Sequence, residues 1–140
     1  MEEKKLDSGF KINNLILSES LFHRINNVSF EDNVDKKFDI NVESFVKENI
    51  ITVAVEVVIL QMLKDVEEFK IKVRMIGVFE CIGETLIKNF EEFGKVNGAA
   101  IIFPYIREHV TNISSKAGIG AIILPLVNFT KMIKEDEKKQ

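Results

Sequence analysis

Tryptophan is absent from this 140-residue chain, and there is one tyrosine, one cysteine and no excess of positive charge. A lone cysteine, Cys81, cannot close an internal disulfide, so the fold has to stand without one, as suits a reducing compartment. One domain of this length can bury a sufficient core on its own. With a formal net charge of −3 the chain has no basic surplus to neutralise a phosphate backbone, and nucleic acid is not an expected partner. The opening MEEKKLDSG lacks an apolar core segment, so no signal peptide is expected. The longest apolar run, IITVAVEVVILQML, carries Glu56 inside it and is too short to cross a bilayer as a helix. Direct membrane insertion is therefore not expected, and a cytoplasmic location is.

Chemistry is equally sparse. His23 and His109 are far apart in sequence and have no cysteine, histidine or carboxylate at metal-ligand spacing. Glu108 and His109 are adjacent, and adjacent residues on a helix point to different faces. Cys81 has no neighbouring base, so it reads as a small hydrophobe. Gly118 and Gly120 lack the rest of a phosphate-binding loop. The acidic pairs Glu67–Glu68 and Glu91–Glu92 read as solvated charges in surface turns. No constellation supports an enzyme, a metal or a cofactor.

What is abundant is apolar area: 46% of residues are hydrophobic and eleven are phenylalanine. Phenylalanine offers area without a hydrogen bond. Residues 1–8 are polar and expected to fray, and so is the charged tail 136–140, leaving one domain over 9–135. FKINNLILS suggests a first strand. From Glu19 to Lys37 no period is clear, and the stretch reads as a long irregular connection, a kind of loop that is often functional. KFDINVESF alternates as a half-buried strand. In IITVAVEVVIL the residues Ile51, Val53, Val55, Val57 and Ile59 share one face, and their β-branching favours a strand over a helix. FKIKVRM sets Phe69, Ile71, Val73 and Met75 against Lys70, Lys72 and Arg74, which predicts a basic open face; KDVEE before it is a hairpin loop. Gly77 suggests a bulge or bend.

ETLIKNFEEF reads as a short helix carrying Leu86, Ile87, Phe90 and Phe93 and ended by Gly94. A second helix begins near Ile101, so that Pro104 falls in its first turn. Its stripe runs through Ile102, Phe103, Ile106, Val110 and Ile113 to Gly118. Asn128 caps a terminal helix. Strands first and helices last argue for an α+β fold with an antiparallel sheet. Surplus apolar surface without a catalyst points to a protein that binds something apolar, either another chain or a small ligand that it carries.

The segment IIFPYIREHVTNISSKAGIGAIILPLVNF resembles the signature region of SecB-type protein-export chaperones. Phe103, Pro104, Tyr105, Arg107 and Glu108 carry the first motif. Leu124, Pro125, Val127, Asn128 and Phe129 carry the second, with Leu126 inserted between proline and valine. IGVFEC resembles the family's glycine–aliphatic–phenylalanine strand. The resemblance spans residues 9–135. It implies a four-stranded antiparallel sheet with a long crossover after the first strand, packed by a long helix and a C-terminal helix. It further implies a cytosolic homotetramer, a dimer of dimers, that holds unfolded preproteins without ATP. SecA would be its downstream partner, or an antitoxin its dedicated client. On this footing Phe22, Ile25, Val28 and Phe30 in the crossover and Leu126, Met132 and Ile133 near the last helix would line a client groove. Ile106, Val110 and Ile113 would face another subunit, and Glu19, Lys70 and Lys72 would mark the SecA contact. His23 stands where a second acid belongs, Lys70 and Lys72 stand where the family has an aliphatic residue and an acid, and the tail lacks the family's glycine-rich character.

Overall fold

The computed structural model describes residues 9–31, 34–83, 85 and 87–138. Four strands, β1 (Phe10–Arg24), β2 (Asp35–Lys47), β3 (Ile50–Leu63) and β4 (Val66–Cys81), form one antiparallel sheet in the order β1-β4-β3-β2. Both hairpins have two-residue turns, and Lys64 and Asp65 both take positive φ, as a tight hairpin whose twist matches its strands requires. Between β1 and β2 the chain crosses from one edge of the sheet to the other, and residues 25–31 and 34 of this crossover are described.

The irregular connection is therefore shorter than the pattern suggested. β1 continues to Arg24, and Phe22 is a strand residue rather than a crossover residue. The alternation is obscured because β1 skips register at Asn13 and at Ser18, and each extra residue flips the faces of those that follow. Gly77, by contrast, is in register with Leu15 and Val53; it is no bulge.

The helices differ more. A short α1 (Phe90–Phe93) runs through a π-helical turn at Gly94–Gly98 straight into α2 (Ala99–Lys116), with right-handed helical dihedrals at Gly94, Gly98 and Ala99. Gly94 does not end a helix, and Pro104 sits inside the rod, where it removes the bond to the Ala100 carbonyl. Both glycines are used for closeness. A Cβ on Gly94 would collide with Ser44 Oγ and lie 2.8 Å from Ile51 Cγ2; one on Gly98 would lie 2.9 Å from Val53 Cγ2. A Cβ on Gly77 would meet Ile102 Cδ1 at 2.9 Å. The rod thus lies directly on β3 and β4. Leu86, assigned to the first helix by pattern, lies outside the described residues.

The core is the layer between rod and sheet. Ile51, Val53, Val55, Val57 and Ile59 of β3 are fully buried, as their shared face predicted, together with Phe69, Ile71 and Val73 of β4 and Ile102, Ile106 and Val110 of α2. Phe10 stacks on Phe93 at 4.4 Å between ring centroids and meets Phe90 edge-on, tying the start of β1 to α1. Residues 119–128 then run back along α2 as a strap. Thr111 Oγ1 donates to the Ile122 carbonyl, Arg107 Nε to the Leu124 carbonyl, and the Ile122 N–H to Ser114 Oγ. The last helix, α3 (Phe129–Lys138), is capped by Asn128, whose Oδ1 accepts from Lys131 N at 3.0 Å. It continues through Lys138.

Gly94→Ala should destabilise the fold by about 1–3 kcal/mol, the range for overpacking a well-filled core. Gly83→Ala should be near neutral, because nothing lies within 4 Å of a Cβ there. Chemical denaturation of the two variants checks this; equal midpoints would contradict the close seating.

Candidate functional site

The expected groove residues separate into two groups at opposite ends of α2. The crossover lies against the C-terminal end, where Arg24 Nη1 donates to the Ala117 carbonyl at 2.5 Å and Val28 and Ile119 line one depression. The last helix packs against the rod's other end, where it meets the π-helical turn and where Phe129 lies edge-on to Phe103 at 5.5 Å. Phe22, Ile25, Val28 and Phe30 are therefore not brought together with Met132 and Ile133. Val28 and Ile133 are buried in the chain's own core, and Phe22, Ile25 and Met132 are half-buried against it. Phe30 and Leu126 stand clear, 68% and 86% exposed.

Ile106 and Val110 are fully buried beneath α2, and Ile113 packs partly against the same core. The chain's own sheet takes the surface that the sequence reading reserved for a neighbouring subunit. The outward face of the helix is instead Ile101, Tyr105, Glu108 and Asn112.

An enclosed depression of mixed polarity lies under the crossover. It has a volume of about 240 Å³ and a mixed lining: Val28, Phe30, Val34, Phe69 and Ile119 are apolar, and Ser29, Glu31, Lys36 and Gln61 are polar or charged. Phe38, 51% exposed, shares the inner face of β2 with Lys36, two residues along the strand. Phe30 thus stands in the wall of the depression, and Phe38 is exposed on the same face of β2 as Lys36, which also lines it. A shallower depression of about 480 Å³ runs between α2 and the strap, lined by Arg107, Glu108, Asn112 and Ile123.

One side chain here was misread from sequence. Glu68 is not a solvated turn residue: it is 3% exposed. Its Oε1 accepts from Gln61 Nε2 at 3.0 Å and from the Ser29 N–H at 3.3 Å, and its Oε2 accepts from Ser29 Oγ at 3.1 Å. The Gln61 hydrogen bond is the largest influence holding the carboxyl below its ordinary range; burial opposes it, and the two Ser29 bonds reinforce it. No composition or spacing signal marks this residue, because its orientation depends on a register skip in β4.

Two of the three cations expected to make the open face of the sheet basic, Lys72 and Arg74, are matched by carboxylates. Lys72 Nζ lies 3.4 Å from Glu19 and 3.6 Å from Glu56, and Arg74 lies 3.7 Å from Glu43 and 3.9 Å from Glu56. Glu56, placed centrally on β3, joins both cations into one compensated network. Pairs this exposed contribute only about 0.2–1 kcal/mol each, but together they cancel the field that free lysines would project. Among the described residues no group of three or more histidine, cysteine or carboxylate side chains is placed to hold a metal. No helix among them is long and apolar enough to cross a membrane.

The chain belongs to the SecB family: the pattern of "Preprotein translocase subunit SecB" matches residues 9–140. SecB-type chaperones are not enzymes. The chain is 28% identical over 100 residues to the protein-export protein SecB of Methylobacillus flagellatus, covering 71% of this chain and 63% of that one. It is 35% identical over 68 residues to the uncharacterized protein MJ0357 of Methanocaldococcus jannaschii, covering 49% and 43%. It thus spans less than two thirds of the length of these relatives. The Mycobacterium tuberculosis Rv1957 SecB-like chaperone, solved with a ChAD peptide from the Rv1956 HigA1 antitoxin, superposes with a TM-score of 0.71 over 84% of this chain and 90% of its own. At 10% identity that likeness establishes the fold.

Glu68 also gives a pH dependence. A carboxyl held low in the folded state contributes stability above its unfolded pKa, about 4.3, and loses that contribution as pH falls through the folded value. Acid unfolding followed by circular dichroism should therefore be shallower below about pH 4.5 in Glu68→Gln than in the wild type. Superimposable acid limbs would contradict a hydrogen-bonded carboxylate.

Proposed function

We propose that the chain is an ATP-independent holdase that binds unfolded polypeptide segments at the groove under the crossover. The observation that carries this reading is the exposure of two aromatic rings, Phe30 and Phe38, with Phe30 in the wall of a depression that opens to solvent. Unfolded clients vary in sequence, so their recognition rests on apolar area rather than on exact side-chain pairing. An open groove suits an extended chain better than the sequestered small molecule a carrier would hold. Leu126 and Ile123, 86% and 73% exposed on the strap, extend the apolar surface along which a long client would lie.

The protein works, in this reading, as a cytoplasmic homotetramer. The support is its edges: β1 is 15 residues long and leaves Ile12, Ile16, Leu17 and Leu21 between 41% and 46% exposed. Natural proteins rarely leave so long an apolar edge unpaired. Transfer of clients to SecA is one downstream step. Service to an antitoxin is the second reading, favoured by the compensated network at Glu19, Lys72 and Glu56, which offers no strongly charged face for a motor to read. The antitoxin peptide bound by the Mycobacterium tuberculosis relative gives that reading a precedent.

Phe30→Ala combined with Phe38→Ala should weaken binding of a labelled unfolded polypeptide at least tenfold, about 1.4 kcal/mol. The melting temperature and the light-scattering mass should stay unchanged, because both rings are exposed. Undiminished affinity in the double variant would remove the groove from the reading, and a monomeric mass for the wild type at micromolar concentration would remove the tetramer.

A further inference from the structure

At Glu68 the β4 strand holds one residue more than its partner. Gln61 pairs with Phe69 and Met62 pairs with Glu67, which leaves Glu68 without an opposite number. An unbroken strand would turn Glu68 to the open face with Lys70 and Lys72. The bulge instead turns it inward beside Phe69, so two consecutive residues are buried. Burying a carboxylate among neutral donors is a poor way to gain stability, and an apolar residue of similar size would serve the core better.

What the arrangement does achieve is a fixed crossover. The Glu68 carbonyl accepts from Ile25 N at 2.9 Å, and its carboxylate takes the N–H and the hydroxyl of Ser29. Gln61 Nε2 donates to the Ser29 carbonyl at 2.9 Å. Every polar group of Ser29 is thereby bound to the sheet. At the crossover's start Arg24 donates to the carbonyls of Ile25, Asn26 and Ala117. Between these two clasps Val28 is pressed into the core, and after the second one Phe30 is left pointing out.

We propose that Glu68 and Gln61 are positioning residues of the client groove, holding the crossover in its binding shape before any client arrives. The inference rests on the holdase reading of that groove. A wall that is already ordered does not have to be ordered by the client, and affinity falls by the fraction of time the competent shape is lost. Glu68 does not line the depression, whereas Gln61 does, so the positioning role is tested at Glu68.

The test measures two quantities on the full chain: amide hydrogen exchange at Ser29, and affinity for a fluorescent, carboxymethylated, permanently unfolded polypeptide. Glu68→Ala leaves the Ser29 and Gln61 donors unpaired. Its Ser29 amide should exchange freely, and its client affinity should fall about tenfold. Glu68→Gln removes the charge and keeps the bonds, because its amide oxygen accepts from Ser29 N and Gln61 while its amide nitrogen donates to Ser29 Oγ. It should restore both protection and affinity to within about threefold of the wild type. That rescue separates positioning from charge. Should Glu68→Ala fail to fold, Ser29→Ala gives the same comparison with one bond removed, and a loss in both quantities is expected. Full client affinity in a variant whose Ser29 amide exchanges freely overturns the inference while leaving the holdase reading intact. Absence of client binding by the wild type overturns both.

Discussion

The distance between one helical rod and one sheet governs the rest of this structure. Gly94 and Gly98 lie one turn apart on the rod and Gly77 faces it from β4; all three positions have no room for a methyl group without displacement. The contact is dry and aliphatic, with β-branched side chains of β3 against Ile102, Ile106 and Val110. Such packing at crystal-like density leaves no slack. Because the rod saturates the inner face, every other apolar residue has to find its partner at the margins: the strap, the crossover, the last helix and the two free edges.

Those margins are where a binding protein would keep its capacity. The strap is tied to α2 by Arg107, Thr111 and Ser114 through backbone groups, which frees its alternate side chains, Ile123 among them, to face solvent. The crossover is tied down by Arg24, Gln61 and Glu68, which leaves Phe30 exposed. In both places polar side chains anchor main chain so that apolar side chains can remain unpaired. This division of labour suits a protein whose ligand is apolar and variable.

Much of this fold was legible in the chain itself. The alternation in IITVAVEVVIL and FKIKVRM reports burial directly: every residue that it placed inward, from Ile51 to Ile59 on β3 and from Phe69 to Met75 on β4, is buried, while Ala54, Gln61 and Glu68 are buried without such a signal. The FPY-RE and VNF motifs pointed to the right family because Arg107 and Asn128 hold the strap and cap the last helix. What was hidden depends on register and on distance. The bulges at Asn13 and Ser18 scramble the period of β1, so Phe22 passed for a loop residue. Gly94 and Pro104 look like helix boundaries, yet one supplies closeness and the other is tolerated within a rod held by tertiary packing. Glu68 could not be told from Glu67 by any local signal, since only the extra residue in β4 turns it inward. That the two segments expected to share a groove lie apart within the chain was hidden for a similar reason: the strap spans the length of α2 and carries the last helix away from the crossover.

Site-specific photo-crosslinking tests the central claim most directly. A photoreactive residue at position 30 should label an unfolded polypeptide and not its folded form. The same group at position 88, on the exposed segment before α1, should label neither. Labelling of the unfolded chain at position 30 alone is the result this account predicts. Equal labelling at both positions, or none at position 30 while the protein still binds the client, would contradict it.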